Sequence, residues 1–296
     1  MRLLQRPLDS NKSSFGHIFI LAGSARYSGA AALCSLAVLR SGAGLVTLGL
    51  PKGINNAMIK LKPKEAITLP LPQTKEGGVS LLAFKKIADF IKKIDILAIG
   101  PGLGDNPSTY SLIRKVIFSS LKPMVIDADG LNAIKGNLNT LSKLTKKNPK
   151  VIMTPHPKEM SRLTGLNVEE VQKNRKKISL DFAKRYRVTL VLKGYETIVT
   201  NFNGSIYINK TGNPGMATLG SGDVLTGIIA SFLAQGLSAF EAAKTGVYLH
   251  GVAGDLAAKE KTQISLIASD IVDKIPNAIK RMCVCRRSSV GRAAVL

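Results

Sequence analysis

Short apolar runs alternate along this chain with longer stretches of helical period, and that alternation restricts the fold more than any other feature. Runs rich in Val, Ile and Leu occupy residues 17–23, 45–51, 96–100, 124–127, 151–155 and 188–193. Amphipathic stretches at 28–40, 81–92 and 109–118 lie between them. Near-continuous apolar strands joined by helical crossovers predict βαβ units, hence an α/β fold with a mostly parallel central sheet and helices on both faces. The pattern changes near Thr197. Two β-rich runs, 197–202 and 205–209, flank Asn203-Gly204, the strongest short hairpin signal. Helical patterns follow at 223–233, 239–259 and 269–281. Nothing reads as a linker, a repeat or a low-complexity segment, so one domain is expected over residues 1–282. Residues 283–296, with Arg286-Arg287-Ser288-Ser289-Val290-Gly291-Arg292, show no period and predict a disordered basic tail.

Charge narrows the partners. Forty-two Lys and Arg stand against 19 Asp and Glu, for a formal net charge of +23. That balance favours anionic ligands. Yet the lysines are scattered in pairs such as Lys85-Lys86 and Lys176-Lys177, as on solvated helix faces. With 5% aromatic residues and no Trp, stacking platforms for nucleic acid are few, and no nucleic-acid motif occurs. The three cysteines, Cys34, Cys283 and Cys285, form neither a metal quartet nor a disulfide framework, which suits a reducing compartment. Residues 1–11 lack the apolar core of a secretory signal, and no apolar run approaches the ~20 residues that span a bilayer. A cytoplasmic protein without membrane partners is expected.

In an open α/β sheet ligands sit beyond the carboxyl ends of the strands, so the loops after each run matter most. The first, from Gly23 to Ala30, has the position of a P-loop but ends Ala30-Ala31 where Lys-Ser/Thr would be needed. It is either a tight turn or a ligand contact. The second, Gly100-Pro101-Gly102-Leu103-Gly104-Asp105, lets backbone approach a ligand closely, with Gly102 and Gly104 as the contacts. The third is Asp127-Ala128-Asp129-Gly130, whose carboxylates suit either Mg²⁺ held through water, with Asp127 the metal candidate, or capping of the next helix. The fourth holds His156 between Pro155 and Pro157, a stiff placement at a strand end that serves either structure or catalysis.

The fifth loop is the sharpest. Asn213-Pro214-Gly215 leads to Leu219-Gly220-Ser221-Gly222-Asp223, which opens directly into an apolar helix. Free N–H groups and the helix dipole at such a start make an anion site. Glycines flanking Ser221 would be a wasteful cap, but they suit phosphoryl oxygens lying against Gly220–Gly222. Asp223 is then the general base that takes a proton from an attacking hydroxyl.

These residues resemble a known family. The Gly-x-Gly-Asp run at a helix start is similar to the anion hole of ribokinase-like small-molecule kinases. Within that superfamily the ordered set of Gly23–Ala30, Ala98–Gly104, Val125–Gly130, Leu192–Gly194 with Thr197, Gly220–Gly227 and Tyr248-Leu249-His250-Gly251 resembles the ADP/ATP-dependent NAD(P)H-hydrate dehydratases. The resemblance implies a nucleotide-dependent lyase acting on NADH or NADPH hydrated at C6 of the ring. ADP or ATP would phosphorylate that hydroxyl, with Mg²⁺ as cofactor, and phosphate would then leave. Ala30, Gly102, Gly104, His156 and Asp223 would face the hydrate. Lys193, Gly194, Tyr195, Glu196, Thr197 and Gly222 would hold the nucleotide, with Asn213, Gly220 and Ser221 beside them. Members commonly form tetramers, and many carry an N-terminal epimerase domain for which this chain is too short. The chain departs from the family at Leu219 and Lys158, where glycine is usual. The rival readings are a ribokinase-like vitamin kinase of the hydroxyethylthiazole type, which keeps its phosphorylated product, and a nucleic-acid-associated protein.

Overall fold

The five residues His17–Leu21 (β1) show how the sheet acquires two cores. Ile18 and Ile20 face one apolar cluster and Phe19 and Leu21 the other, and all four are fully buried. The side-chain period of two divides a continuous apolar run between both faces. The computed structural model describes residues 6–148 and 150–291. The further strands are β2 (Leu45–Pro51), β3 (Ile67–Leu71), β4 (Ile96–Ile99), β5 (Met124–Ile126), β6 (Val151–Met153), β7 (Thr189–Leu192), β8 (Ile198–Thr200) and β9 (Ile206–Ile208). The helices are α1 (Ser28–Arg40), α2 (Asn55–Leu61), α3 (Phe84–Ile91), α4 (Pro107–Ser119), α5 (Asp129–Ile134), α6 (Leu138–Lys147), α7 (Pro157–Thr164), α8 (Val168–Lys173), α9 (Arg175–Tyr186), α10 (Ser221–Ala234), α11 (Ala239–Lys261) and α12 (Ala268–Gly291).

One nine-stranded sheet runs in the order β3-β2-β1-β4-β5-β6-β7-β8-β9. It is parallel from β3 to β7 and antiparallel at β8 and β9. Helices α1, α10, α11 and α12 cover one face, and α3, α4, α6, α7 and α9 the other. Each fully buried Leu, Ile or Phe contributes about 1.5–3 kcal/mol relative to exposure. The two faces therefore carry most of the driving force. Helix α10 approaches α1 closely because Gly227 sits against the Cys34 carbonyl, where a Cβ would collide.

The expected parallel sheet and the Asn203-Gly204 hairpin are both present. Four details differ. Strand β3 is absent from the expected runs; it carries Pro70 at the sheet edge, where proline is tolerated. The 81–92 stretch opens as a 3-10 turn, Leu81–Ala83, before α3 begins. Helix α10 starts at Ser221, which puts Asp223 inside its first turn. The backbone of α12 stays helical to Gly291, past Cys283 where a tail was expected to begin, since no Pro or Gly interrupts residues 282–290. The expectation for residues 292–296 lies outside the described residues.

Candidate active site

After β1 the chain adds β2 and β3 on one side, then returns to place β4 on the other. This reversal is the switch point where open α/β sheets bind ligands. The loops after β1 and β4 are tied together there: Gly23 donates its N–H to the Pro101 carbonyl at 2.8 Å. Gly102 is held against the first loop, since a Cβ on it would lie 2.8 Å from the Tyr27 carbonyl oxygen and 2.9 Å from the Ala30 Cβ. Ala30 and Gly102 thus form one packed lip. Gly104 differs, with φ of 82° and open space where a side chain would stand. Its N–H donates to Asp129 Oδ2 at 2.8 Å. A cleft of about 500 Å³ opens beside it, lined among others by Tyr27, Tyr110, Asp129 and Arg162.

Asp127 and Asp129 would share one side of a regular strand. Between them Ala128 adopts φ 46° and ψ −117°, a region that disfavours a side chain, and the turn separates the two carboxylates. Asp129 faces the cleft, and burial pushes its carboxyl up. Asp127 turns inward and is essentially inaccessible. Its Oδ1 accepts from Lys193 Nζ at 2.7 Å and its Oδ2 from Thr226 Oγ1 at 2.8 Å. These bonds account for a buried carboxylate by themselves. No cluster of three His, Cys, Asp or Glu side chains arranged for a metal occurs among the described residues.

Lys193 follows β7. Its ammonium also lies 3.8 Å from Glu159 Oε2. Burial acts to lower its pKa, but Asp127 and Glu159 overcome that and hold it charged. A side chain on Gly222 would project to within 3.4 Å of this ammonium, so the α10 N-terminus stands directly over Lys193. Gly220 caps the helix in the left-handed conformation at φ 90°, without a side-chain cap. The N–H groups of Gly222 and Asp223 meet no protein acceptor among the described residues. Two free donors, the helix dipole and a fixed cation converge on one spot, which is suited to a phosphoryl group. Ser221, the first helical residue, is fixed from α11 by His250, whose Nε2 lies 3.3 Å from Ser221 Oγ. Burial lowers His250 to about 4, so this imidazole is neutral.

Asp223 sits on the same turn. Burial, followed by the charge of Asp127, raises its carboxyl to about 7, while Lys193 opposes the rise. A carboxylate whose affinity for protons matches neutral pH is suited to general-base work.

His156 caps α7. Its Nδ1 accepts from the N–H groups of Lys158 and Glu159, while Glu159 Oε2 accepts from the His156 N–H at 2.8 Å. Burial and the nearby Lys193 lower the ring to about 4. The ring is therefore neutral, with its proton on Nε2, which lies 3.5 Å from Glu159 Oε1, so it can donate a hydrogen bond but does not take up a second proton at neutral pH.

Asp127, His156, Lys193, Gly222 and Asp223 are thus brought into one centre, with Ala30, Gly102 and Gly104 at the adjoining lip. The remaining candidates stand apart. Residues 193–197 form a turn closed by Thr197 Oγ1 donating to the Gly194 carbonyl. Glu196 takes a positive φ of 50° there, and Tyr195 is 90% exposed. Arg175, from α9, clamps the carbonyls of Leu192 and Lys193 beneath that turn. Asn213 is engaged at both ends of its amide, accepting from Gly215 N and donating to Asp255, so it anchors the loop to α11. Leu219 is 92% exposed at the mouth of the anion hole. Sequence reasoning gave no role to Glu159, Thr226, Arg175 or Arg162. Glu159, three residues after His156, carried a capping-box signal that could have found it.

Comparison with known proteins decides the family. A model described as NAD(P)H-hydrate dehydratase matches residues 18–277. The chain belongs to the NAD(P)H-hydrate dehydratase family. One dehydratase relative, the ADP-dependent (S)-NAD(P)H-hydrate dehydratase of Neisseria meningitidis, is 36% identical, covering 90% of this chain and 86% of that protein. The Bifunctional NAD(P)H-hydrate repair enzyme Nnr of Moorella thermoacetica is 39% identical over 95% of this chain. The chain spans about half the length of that and similar curated relatives, 52% in this case. Among solved structures, the ADP/ATP-dependent NAD(P)H-hydrate dehydratase from Bacillus subtilis, co-crystallized with ATP/Mg2+, superposes with a TM-score of 0.80. It is 31% identical over 94% of each chain. The dehydratase fold seen here is ribokinase-like.

Proposed function

We propose that this chain is a nucleotide-dependent dehydratase that restores NADH or NADPH from their C6-hydrated forms, using ADP or ATP as phosphoryl donor. The observation that carries the reading is Asp223: a half-buried carboxylate raised to about 7, on the first turn of a helix whose free N–H groups stand over Lys193. In this reading the nucleotide's terminal phosphate lies against Gly220–Gly222. Asp223 accepts the proton of the C6 hydroxyl as its oxygen attacks phosphorus in line, and the shortened nucleotide departs. Lys193 and the Gly222 and Asp223 N–H groups balance the transferring charge. The phosphorylated oxygen then leaves as inorganic phosphate, driven by the ring nitrogen lone pair. Loss of a proton from the adjacent carbon restores the dihydropyridine. Neutral His156 donates a hydrogen bond that orients the nicotinamide end.

Lys193, Gly194, Tyr195, Glu196, Thr197, Asn213, Ser221 and Gly222 are proposed as the nucleotide side, and Ala30, Gly102, Gly104 and His156 as the hydrate side. With both Asp127 oxygens engaged, Mg²⁺ is assigned to the nucleotide's phosphates and not to a protein cluster. A cytoplasmic location and a homotetramer complete the proposal. No helix among the described residues is long and apolar enough to cross a membrane. Size-exclusion chromatography with light scattering tests the assembly.

The deciding experiment incubates the protein with hydrated NADH, Mg²⁺ and either nucleotide, following reduced-nicotinamide absorbance beside a phosphate assay. Phosphate and NADH should appear one-to-one with nucleotide consumed. A stable phosphorylated product without free phosphate would leave a kinase in its place.

A further inference from the structure

The switch-point cleft holds three cationic side chains that the reacting centre does not use. Arg26, Lys135 and Arg162 all line it. None of the three lies within ion-pair distance of a carboxylate among the described residues. Three acids line it as well, Glu76, Asp105 and Asp129, two of them bonded to neutral groups of the same cleft. Glu76 accepts from Asn106 at 2.8 Å, and Asp129 accepts from Gly104 N and from Asn132. Asp105, the third, lies near enough to Asp129 to help raise its carboxyl.

Arg162 is the fixed member of the set. Its Nη1 donates to Asn132 Oδ1 at 3.0 Å, and Asn132 Nδ2 donates onward to Asp129 Oδ1 at 3.3 Å. This chain of bonds ties α7 to α5 and orients the guanidinium while leaving most of its donors free. A planar, pre-oriented fork is the geometry that recognises phosphate bidentately. Its placement suits a long ligand. His156 caps α7 and Arg162 lies six residues along that helix, a rise of about 9 Å. One helix thus offers a neutral hydrogen-bond donor at its start and a cation in its last turn, separated by a span that a nucleoside bridges.

We propose that Arg162, supported by Arg26 and Lys135, is a specificity residue that grips a phosphoryl group of the dinucleotide substrate while its ring is held at His156 and Asp223. The proposal rests on the dehydratase reading and adds to it the residue that recognises the far part of the substrate. The shared chemistry is a phosphate anion, supplied either by the pyrophosphate bridge or by the ribose 2′-phosphate of the NADP series.

The test compares wild type with Arg162→Ala and Arg162→Lys. Steady-state kinetics are measured with hydrated NADPH, hydrated NADH and the nucleotide as varied substrates. Loss of a charged, bidentate contact should raise the KM of the hydrate about tenfold to a hundredfold. The nucleotide KM and kcat should stay within about twofold of wild type. Arg162→Lys should recover only part of the loss, because a point charge cannot reproduce the fork. A rise confined to hydrated NADPH identifies the 2′-phosphate, and an equal rise with both hydrates identifies the pyrophosphate. Unchanged hydrate KM values, or a rise in the nucleotide KM instead, would overturn the proposal. A second readout is independent of turnover: calorimetric binding of NADPH to wild type and Arg162→Ala. Absence of hydrate turnover in wild type would remove the dehydratase reading alone, with the binding comparison still deciding the clamp. Weaker binding by the variant supports the clamp, and equal binding, or none by either protein, overturns it.

Discussion

Replacing Asp223 by Asn should abolish most turnover and, at the same time, make the protein more stable at alkaline pH. The folded protein holds this carboxyl at about 7 against a reference of 3.8, first because it is buried and second because Asp127 is charged nearby. Ionising it in the fold is therefore unfavourable by about 4 kcal/mol, at roughly 1.4 kcal/mol for each tenfold change in proton affinity. The sign follows from a folded pKa above the unfolded one. Below about pH 4 the group is protonated in both states and makes no difference. Between about 4 and 7 stability is progressively lost, and above about 7 the full penalty applies. Asn carries no charge and removes the penalty, in which the opposing attraction of Lys193 is already counted, so the net gain at pH 8 should approach about 4 kcal/mol. The assay is urea unfolding of wild type and Asp223→Asn at pH 8 and pH 4, beside initial rates. The variant should be more stable at pH 8, the difference should shrink toward pH 4, and the rate should drop about 10²–10⁴-fold or more. A variant less stable than wild type at pH 8 would refute the buried-charge argument. Retention of more than about half the wild-type rate would refute the role as base.

Other consequences follow from the same geometry. The rate should fall as pH drops below about 7, as Asp223 takes up its proton, and a flat profile between pH 6 and 8 would contradict that assignment. Lys193→Met leaves Asp127 buried without its cation and should cost about 3–5 kcal/mol in chemical denaturation. Gly220→Ala forces a side chain onto φ 90° and into Leu33, so it should lose about 1–2 kcal/mol from the backbone alone and raise the nucleotide KM. Deleting residues 283–296 should change neither melting temperature nor rate; a clear loss of either in a soluble truncation would show that this segment packs or binds.

Much of the architecture was legible because hydrophobic period is local. The runs that became β1, β2 and β4–β7 declare themselves residue by residue, as does the hairpin at Asn203-Gly204. Glycines flanking Ser221 ahead of an apolar helix announce an anion site for a similarly local reason: the free N–H groups lie within one turn of chain. What period cannot record is convergence. Asp127 meets Lys193 across 66 residues and Thr226 across 99, so no local pattern shows that this metal candidate is a buried carboxylate with both oxygens bonded. The same holds for chemical character. His156 and Asp223 were chosen as residue types, but burial and neighbouring charge keep the imidazole neutral and raise the carboxyl to about 7. Arg162 was invisible among 42 basic residues until Asn132 and the reversal of strand order at β1 placed it in a cleft. The sequence by itself determined the layers and the helix that presents the anion site, because short-range sterics and periodicity suffice for those. Tertiary structure alone decided which charges are paired and which are free, because desolvation and Coulomb energy depend on distances that no local pattern specifies.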